Sequence, residues 1–350
     1  MYKTIDYRDT LGECLFIDVR SPGEYEEATI PGAVNIPLFS DEERHTIGYV
    51  YVNESVERAK YMGIEAVSKK LPQIFMEVTK LKDKSKKLVF FCARGGMRSG
   101  SICALLNSIG EESFKLSGGY KGYRSFINEQ LPKVNEGIAY VVLHGKTGCG
   151  KTQMLRDLEE KGCDILDLEY AANHRGSLLG TVGLGRQRSQ KAFESIIYES
   201  LKNRKSNLVI VEGESKRIGN VIVPDYIFKS MEKGIHVLVE GSMEYRKNII
   251  ITEYTRYGSS KSEILEGLEC LKRYISSERI DGFKRSICSE DFESVAEDLM
   301  LKYYDPMYMN EIKKYSYGLV LDKDDIGENS SALEQWYKNF LISGGQLDEC

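Results

Sequence analysis

Residues 145–152 read Gly-Lys-Thr-Gly-Cys-Gly-Lys-Thr, the spacing GxxxxGK[ST]. The apolar run AYVVLH (139–144) precedes them and the helical segment KTQMLRDLEEKG (151–162) follows. A strand, a glycine-rich turn and a helix in that order constrain the chain more than any other feature. They place a ring of backbone N–H groups at the end of a buried strand, where a di- or triphosphate is wrapped. The predicted diphosphate-binding residues are Gly145, Lys146, Thr147, Gly148, Cys149, Gly150, Lys151 and Thr152. Lys151 supplies a point charge, and Thr152 can ligate Mg²⁺. A carboxylate at the end of a neighbouring strand would complete a metal site. Glu212, in NLVIVEGES, is the candidate, ahead of Glu214. The motif argues for phosphate binding, not for hydrolysis.

The rest of the chain alternates strand-like and helical segments. CLFIDV (14–19), AVNIPL (33–38), KKLVFFC (86–92) and SFKL (113–116) are predicted strands, and GMRSGSICALLNSIG (96–110) is a predicted helix. LPKVNEGI (131–138) reads as a linker, after which the pattern restarts. CDILDLE (163–169), NLVIVEG (207–213), GIHVLVEG (234–241) and YGLVLD (317–322) are further strands. KSEILEGLECLKRYISS (261–277) sets Ile264, Leu265, Leu268, Leu271 and Ile275 on one helical face, and DFESVAEDLMLKYYD (291–305) reads as a second helix. The fold class is α/β, with parallel sheets covered by helices. The predicted domains are 1–132, a phosphate-loop core over 137–245, and a mainly helical extension over 246–350 packed on that core.

With 350 residues, two domains are expected, and 41% apolar with 29% charged residues suffices for two cores. A formal net charge of −5 rules out a global basic field, so any nucleic-acid contact must be local. No apolar run reaches the length of a membrane span, and the N-terminal residues carry charges where a signal peptide needs an apolar stretch. Cytosolic location and no membrane partner are the expectation. The eight cysteines form no CxxC pair, so most are inert thiols.

Cys92 is different. It ends a buried-looking strand and is followed by Ala93, Arg94, Gly95, Gly96, Met97, Arg98 and Ser99, then by a helix. Such a loop points successive N–H groups into one cavity, and Gly95 and Gly96 permit the backbone angles this needs. The helix N-terminus and the arginines favour thiolate over thiol. The prediction is a nucleophilic sulfur inside an anion-binding cup formed by Arg94, Gly95, Gly96, Met97, Arg98 and Ser99.

DVRSPGEYEEATIPGAVNIP (18–37), CARGGMRS (92–99) and LSGGYKGYRSF (116–126) resemble a rhodanese domain. That resemblance implies sulfur or selenium carried on Cys92. Five residues separate Cys92 from Arg98, where sulfur-carrying rhodaneses usually have four; the longer loop resembles that of cysteine-dependent phosphatases. A rhodanese-like domain followed by GKTGCGKT, ANHRGS and VEGES resembles the tRNA 2-selenouridine synthase family, and the fold implied is a rhodanese-like domain, a P-loop NTPase-like α/β domain and a helical C-terminal extension.

The resemblance implies a transferase that acts on wobble 2-thiouridine in the anticodon loop of tRNA. It would make an S-geranyl-2-thiouridine intermediate with geranyl diphosphate, then install selenium from selenophosphate. Cys92 would carry selenium as selanylcysteine, with the loop holding selenophosphate. The P-loop would hold geranyl diphosphate rather than ATP, because a departing diphosphate needs its charge neutralised. A selenophosphate synthase would be the supplier.

The segment 172–194 mixes glycines and cations and has few large apolar groups, which predicts a mobile, poorly buried substrate loop. His174, Arg175, Arg186 and Arg188, with Lys216 and Arg217, are the predicted tRNA contacts. Two rival readings stay open: a phosphatase or arsenate-type cysteine enzyme, from the five-residue loop, and a P-loop kinase with a sulfur-carrier domain.

Overall fold

The computed structural model describes residues 2–10, 14–81, 86–177, 179–255 and 261–343. Contacts divide the chain into two units, Met1–Leu131 with Glu194–Ile196, and Pro132–Phe193 with Ile197–Cys350. Among the described residues no helix is long and apolar enough to cross a membrane.

In the first unit β1 (Lys3–Ile5), β2 (Cys14–Asp18), β3 (Val34–Asn35), β4 (Lys87–Phe91) and β5 (Phe114–Leu116) form one sheet in the order β1-β5-β4-β2-β3. Every pairing is parallel. The helices are α1 (Pro22–Glu27), α2 (Asp41–Asn53), α3 (Val56–Ser68), α4 (Leu71–Lys80), α5 (Met97–Ser108) and α6 (Gly119–Asn135). β4 is apolar on both faces because both faces are covered: Leu88 to Phe91 are all buried. α1 starts at a capping box, with Pro22 in its first turn and Glu24 accepting from the Ser21 N–H at 3.3 Å. β3 is shorter than the run AVNIPL: it is an edge strand, and Pro37 has no N–H to give to a ladder.

In the second unit β6 (Ala139–His144), β7 (Ile165–Leu166), β8 (Leu208–Glu212), β11 (Ile235–Val239) and β12 (Leu319–Leu321) form a second parallel sheet, ordered β12-β11-β6-β8-β7. β9 (Arg217–Ile218) and β10 (Val221–Ile222) make a small antiparallel ribbon. The helices are α7 (Lys151–Glu160), α8 (Leu168–Ala172), α9 (Gln190–Lys202), α10 (Asp225–Glu232), α11 (Met243–Thr255), α12 (Lys261–Cys270), α13 (Ser277–Cys288), α14 (Phe292–Leu299), α15 (Asp305–Ile312) and α16 (Ile326–Ile342). β6 sits in the middle, so the loop after it has a strand on each side. β7 stops early because Asp167 accepts from the Tyr170 N–H at 2.7 Å and turns the chain into α8.

Four expectations need correction. The linker read over 131–138 is helix as far as Asn135, since α6 accommodates Pro132. The predicted helix 261–277 breaks after Cys270 into a 3₁₀ turn, and α13 starts afresh at Ser277; Ile264, Leu268, Leu271 and Ile275 still share one core. The predicted helix 291–305 passes through a π-helical turn at Met300–Tyr304. The segment 172–194 is not poorly buried, because Leu179 and Val182 join that same core.

Asp18 and Arg20 form a buried pair at the carboxyl end of β2. Arg20 donates from Nη2 to Asp18 Oδ2 at 2.6 Å and to the Ala28 carbonyl at 2.7 Å. Its guanidinium lies 4.2 Å from the Tyr120 ring centroid. Asp18 pairs in register with Phe91, the residue before Cys92, so this pair underlies the cysteine loop. Removing one partner strands the other charge away from water. Asp18→Ala should lower stability by about 3–5 kcal/mol, read as a drop in the urea midpoint at unchanged slope.

Candidate active sites

Cys92 follows β4 and its residue is only 3% exposed. The loop to Ser99 is braced from behind: the N–H groups of Tyr120 and Lys121, in the first turn of α6, donate to the carbonyls of Cys92 and Ala93, each at 2.9 Å. Gly119 must be glycine, because its φ is +57° and a Cβ there would lie 2.2 Å from the Cys92 carbonyl oxygen. Gly95 is left-handed for the same reason of space, with φ +63°. With the Cys92 and Ala93 carbonyls held from behind, the N–H groups of Gly96 and Ser99 face the Cys92 sulfur.

The thiol is activated locally. Ser99 Oγ donates to Cys92 Sγ at 3.3 Å. Burial pushes the thiol up, but the Ser99 hydroxyl and N–H, the Arg98 charge and the Gly96 N–H together bring it below an ordinary thiol. Cys103, in the same core, is pushed up to about 12 by burial, which Ser113 and Lys115 do not outweigh. Arg98 is anchored by Glu24, Nη1 to Oε2 at 2.7 Å. Burial pushes Glu24 up, yet Arg98, the Ser21 N–H and Arg44 outweigh it, so Glu24 stays ionised and fixes the guanidinium. Arg94, Gly96 and Met97 are exposed on the rim.

The second cup lies between β6 and α7. Gly148 and Gly150 are left-handed, with φ +79° and +86°. Lys151 Nζ curls back to the Gly145 carbonyl at 3.0 Å and the Lys146 carbonyl at 3.5 Å. Burial works against its charge, but Cys149, Tyr308, Glu214 and Glu212 around it prevail, so the ammonium stays charged. Thr152 Oγ1 donates to Glu212 Oε1 at 2.7 Å and lies 3.3 Å from Glu169 Oε2. Glu169, Glu212 and Glu214 each bring a carboxylate oxygen within 4.8 Å of the others. Burial and the neighbouring carboxylates raise Glu212 and Glu169 well above the usual range. Glu212 Oε2 is buried with no partner. Hard oxygen donors converging on one orphaned buried oxygen fit a divalent cation.

Sequence reasoning missed what holds this loop. Arg246, 2% exposed, donates from Nε to the Thr147 carbonyl at 2.9 Å and from Nη1 to Asp305 Oδ2 at 3.0 Å. Asp305 also faces Lys146, 3.9 Å from its Nζ. No local motif marks Arg246 or Asp305. Glu169 carried a weak signal, an acidic residue just past a strand.

Of the basic set, His174 is buried, and its ring packs close to Gly180 and Gly219. Arg175 donates to the Val182 carbonyl at 2.6 Å and lies over the Tyr254 ring. Arg188 donates to the Tyr170 carbonyl and Lys216 pairs with Asp225 at 2.7 Å. Arg186 and Arg217 are exposed. The packing of the His174 ring and the bonds of Arg175 and Arg188 shape the segment itself.

A family model described as tRNA 2-selenouridine synthase AAA domain matches residues 138–339, and one for a Rhodanese-like domain matches 6–126. The chain belongs to the tRNA 2-selenouridine synthase family. A tRNA 2-selenouridine synthase from Hydrogenovibrio crunogenus is 31% identical over 332 residues, covering 85% of this chain and 89% of its own. One from Sulfurovum sp. is 29% identical over 339 residues, covering 88% and 92%. In this chain a rhodanese-like domain thus precedes a P-loop-like α/β domain.

The activated thiol sets a pH expectation. Alkylation of Cys92 by iodoacetamide, followed by peptide mass spectrometry, should rise through a midpoint below the ordinary ~8.5 of a free cysteine. Ser99→Ala should move the midpoint up, since a donor to the thiolate is lost. Glu24→Gln should move it down, since Arg98 then faces the sulfur without its counter-charge.

Proposed function

We propose that this chain is a tRNA 2-selenouridine synthase that converts wobble 2-thiouridine to 2-selenouridine in two steps. The observation that carries this reading is the presence of two separate anion cups, one built on the activated Cys92 thiol and the other on Lys151.

In the first step the 2-thio sulfur attacks C1 of geranyl diphosphate. An S–C bond forms, the C1–O bond breaks, and diphosphate leaves with the electron pair. Lys151 and the amides of residues 146–152 neutralise the charge that develops on it. Thr152 and Glu212, with Glu169 and Glu214 beside them, would hold Mg²⁺, which when bound supplies further positive charge to the diphosphate. Alkylation turns a poor leaving group, the thiocarbonyl sulfur, into a thiol that can depart.

In the second step selenium displaces geranylthiolate from C2: a C–Se bond forms and the C–S bond breaks. The loop Cys92–Ser99 holds the phosphoryl end of selenophosphate, and the Se–P bond must break as well. Carrying selenium on Cys92 as selanylcysteine oxidises the sulfur–selenium pair by two electrons and requires an acceptor for them. Attack of the Cys92 thiolate on phosphorus needs none. An S–P bond forms, selenium leaves with the pair, and water then frees phosphate. The five-residue spacing to Arg98, shared with cysteine-dependent phosphatases, favours this second route for Cys92. Arg186 and Arg217, exposed on the second unit, are the remaining candidates for RNA phosphate contacts.

The test is nucleoside mass spectrometry of 2-thiouridine tRNA incubated with the protein, geranyl diphosphate and selenophosphate. Wild type should yield 2-selenouridine. Cys92→Ser should stop at S-geranyl-2-thiouridine, and Lys151→Ala should leave 2-thiouridine at least about 100-fold slower to react. Unchanged 2-thiouridine with wild type would refute the reading.

A further inference from the structure

The second unit holds an apolar cavity that the sequence does not announce. It opens between α11, α12 and α14, with about 630 Å³ not filled by protein atoms, counting the part open to solvent. Ile250 of α11, Leu268 of α12 and Val295 and Ala296 of α14 are on its walls. Among the described residues that line it, none is charged. One lining residue is Thr147, which belongs to the phosphate loop.

Cavity and loop are one construction. Arg246, in the first turn of α11, holds the Thr147 carbonyl, and the next turn supplies Ile250. Ile250 also abuts the loop, for a Cβ at Gly148 would lie 3.0 Å from its Cδ1. The π-helical turn at Met300–Tyr304 ends beside Asp305, the partner of Arg246, while Met300 and Tyr304 face the cavity. A ligand on the loop therefore has an uncharged, largely hydrocarbon room next to its phosphate end. A few hydroxyls, those of Thr147, Ser177, Thr255 and the tyrosines, are all a nucleobase there would meet for its several donors and acceptors, which is costly. A hydrocarbon tail has none to pair and gains by burial.

We propose that this cavity seats the hydrocarbon chain of a prenyl diphosphate whose diphosphate lies on residues 145–152. The proposal deepens the reading above and rests on it for the diphosphate end. Ala296 is the small residue whose side chain leaves room on the α14 wall, so a large side chain there fills the space of the tail and leaves the loop untouched.

The test compares calorimetric affinities of inorganic diphosphate, dimethylallyl diphosphate and geranyl diphosphate. In wild type, affinity should climb with chain length, geranyl diphosphate binding at least roughly tenfold tighter than inorganic diphosphate. Ala296→Trp should erase that gain and hold inorganic diphosphate within about twofold. A geranyl advantage that survives Ala296→Trp would overturn the cavity assignment alone. Inorganic diphosphate that fails to bind wild type, or binds Lys151→Ala equally well, would overturn the loop reading beneath it. A geranyl diphosphate analogue with a diazirine at the far end of its chain reads the same point without any variant. Cross-links on α11, α12 or α14 that geranyl diphosphate competes away are expected. Cross-links confined to the first unit would contradict the proposal.

Discussion

An α-helix begins with backbone N–H groups that nothing within the helix can satisfy. This chain places two such ends, those of α5 and α7, directly after buried parallel strands. Everything chemical in the molecule depends on that arrangement. The strands must be apolar on both faces to be central, and central strands are what bring a helix N-terminus and its loop to a fixed point. The glycines then follow from geometry, since Gly95, Gly148 and Gly150 adopt left-handed backbone that turns successive amides inward.

The two cups differ in how they handle charge. The first stabilises a negative sulfur by the Ser99 donors and by an arginine whose own position is set by Glu24. The second keeps a positive lysine against burial, with the Cys149 sulfur 3.7 Å from its Nζ, and a group of carboxylates whose repulsion one cation would relieve. The Arg246–Asp305 pair ties that loop to the helices behind it. Such a pair is a poor source of net stability but a good fixer of position, because breaking it strands a charge. Coupling the loop to α11 through Arg246 also makes the apolar cavity a continuation of the phosphate site rather than a separate feature.

The local parts of this design were legible in the sequence. Both strand–loop–helix cups, Cys92, Lys151, Thr152 and Glu212 lie within motifs a few residues long, where spacing alone fixes direction. Glu24, Arg246 and Asp305 were not legible, because their roles come from contacts 74, 99 and 59 residues away along the chain. The segment 172–194 was misread as poorly buried for a related reason: it has few large apolar groups, and two of them, Leu179 and Val182, find a distant helical core. The apolar face of 261–277 was right while its single helix was not, since a 3₁₀ turn at Leu271–Arg273 keeps the same residues inward. Periodicity reports which side is buried more firmly than it reports continuity.

The central claim is that the two cups run separate half-reactions. It is tested most directly by giving Lys151→Ala a tRNA that already carries S-geranyl-2-thiouridine, together with selenophosphate, and following 2-selenouridine by nucleoside mass spectrometry. The account predicts conversion at close to the wild-type rate, because the phosphate loop has no part in that half. Loss of conversion in Lys151→Ala, with the first unit intact by Cys92 alkylation, would contradict it and place the P-loop in selenium transfer.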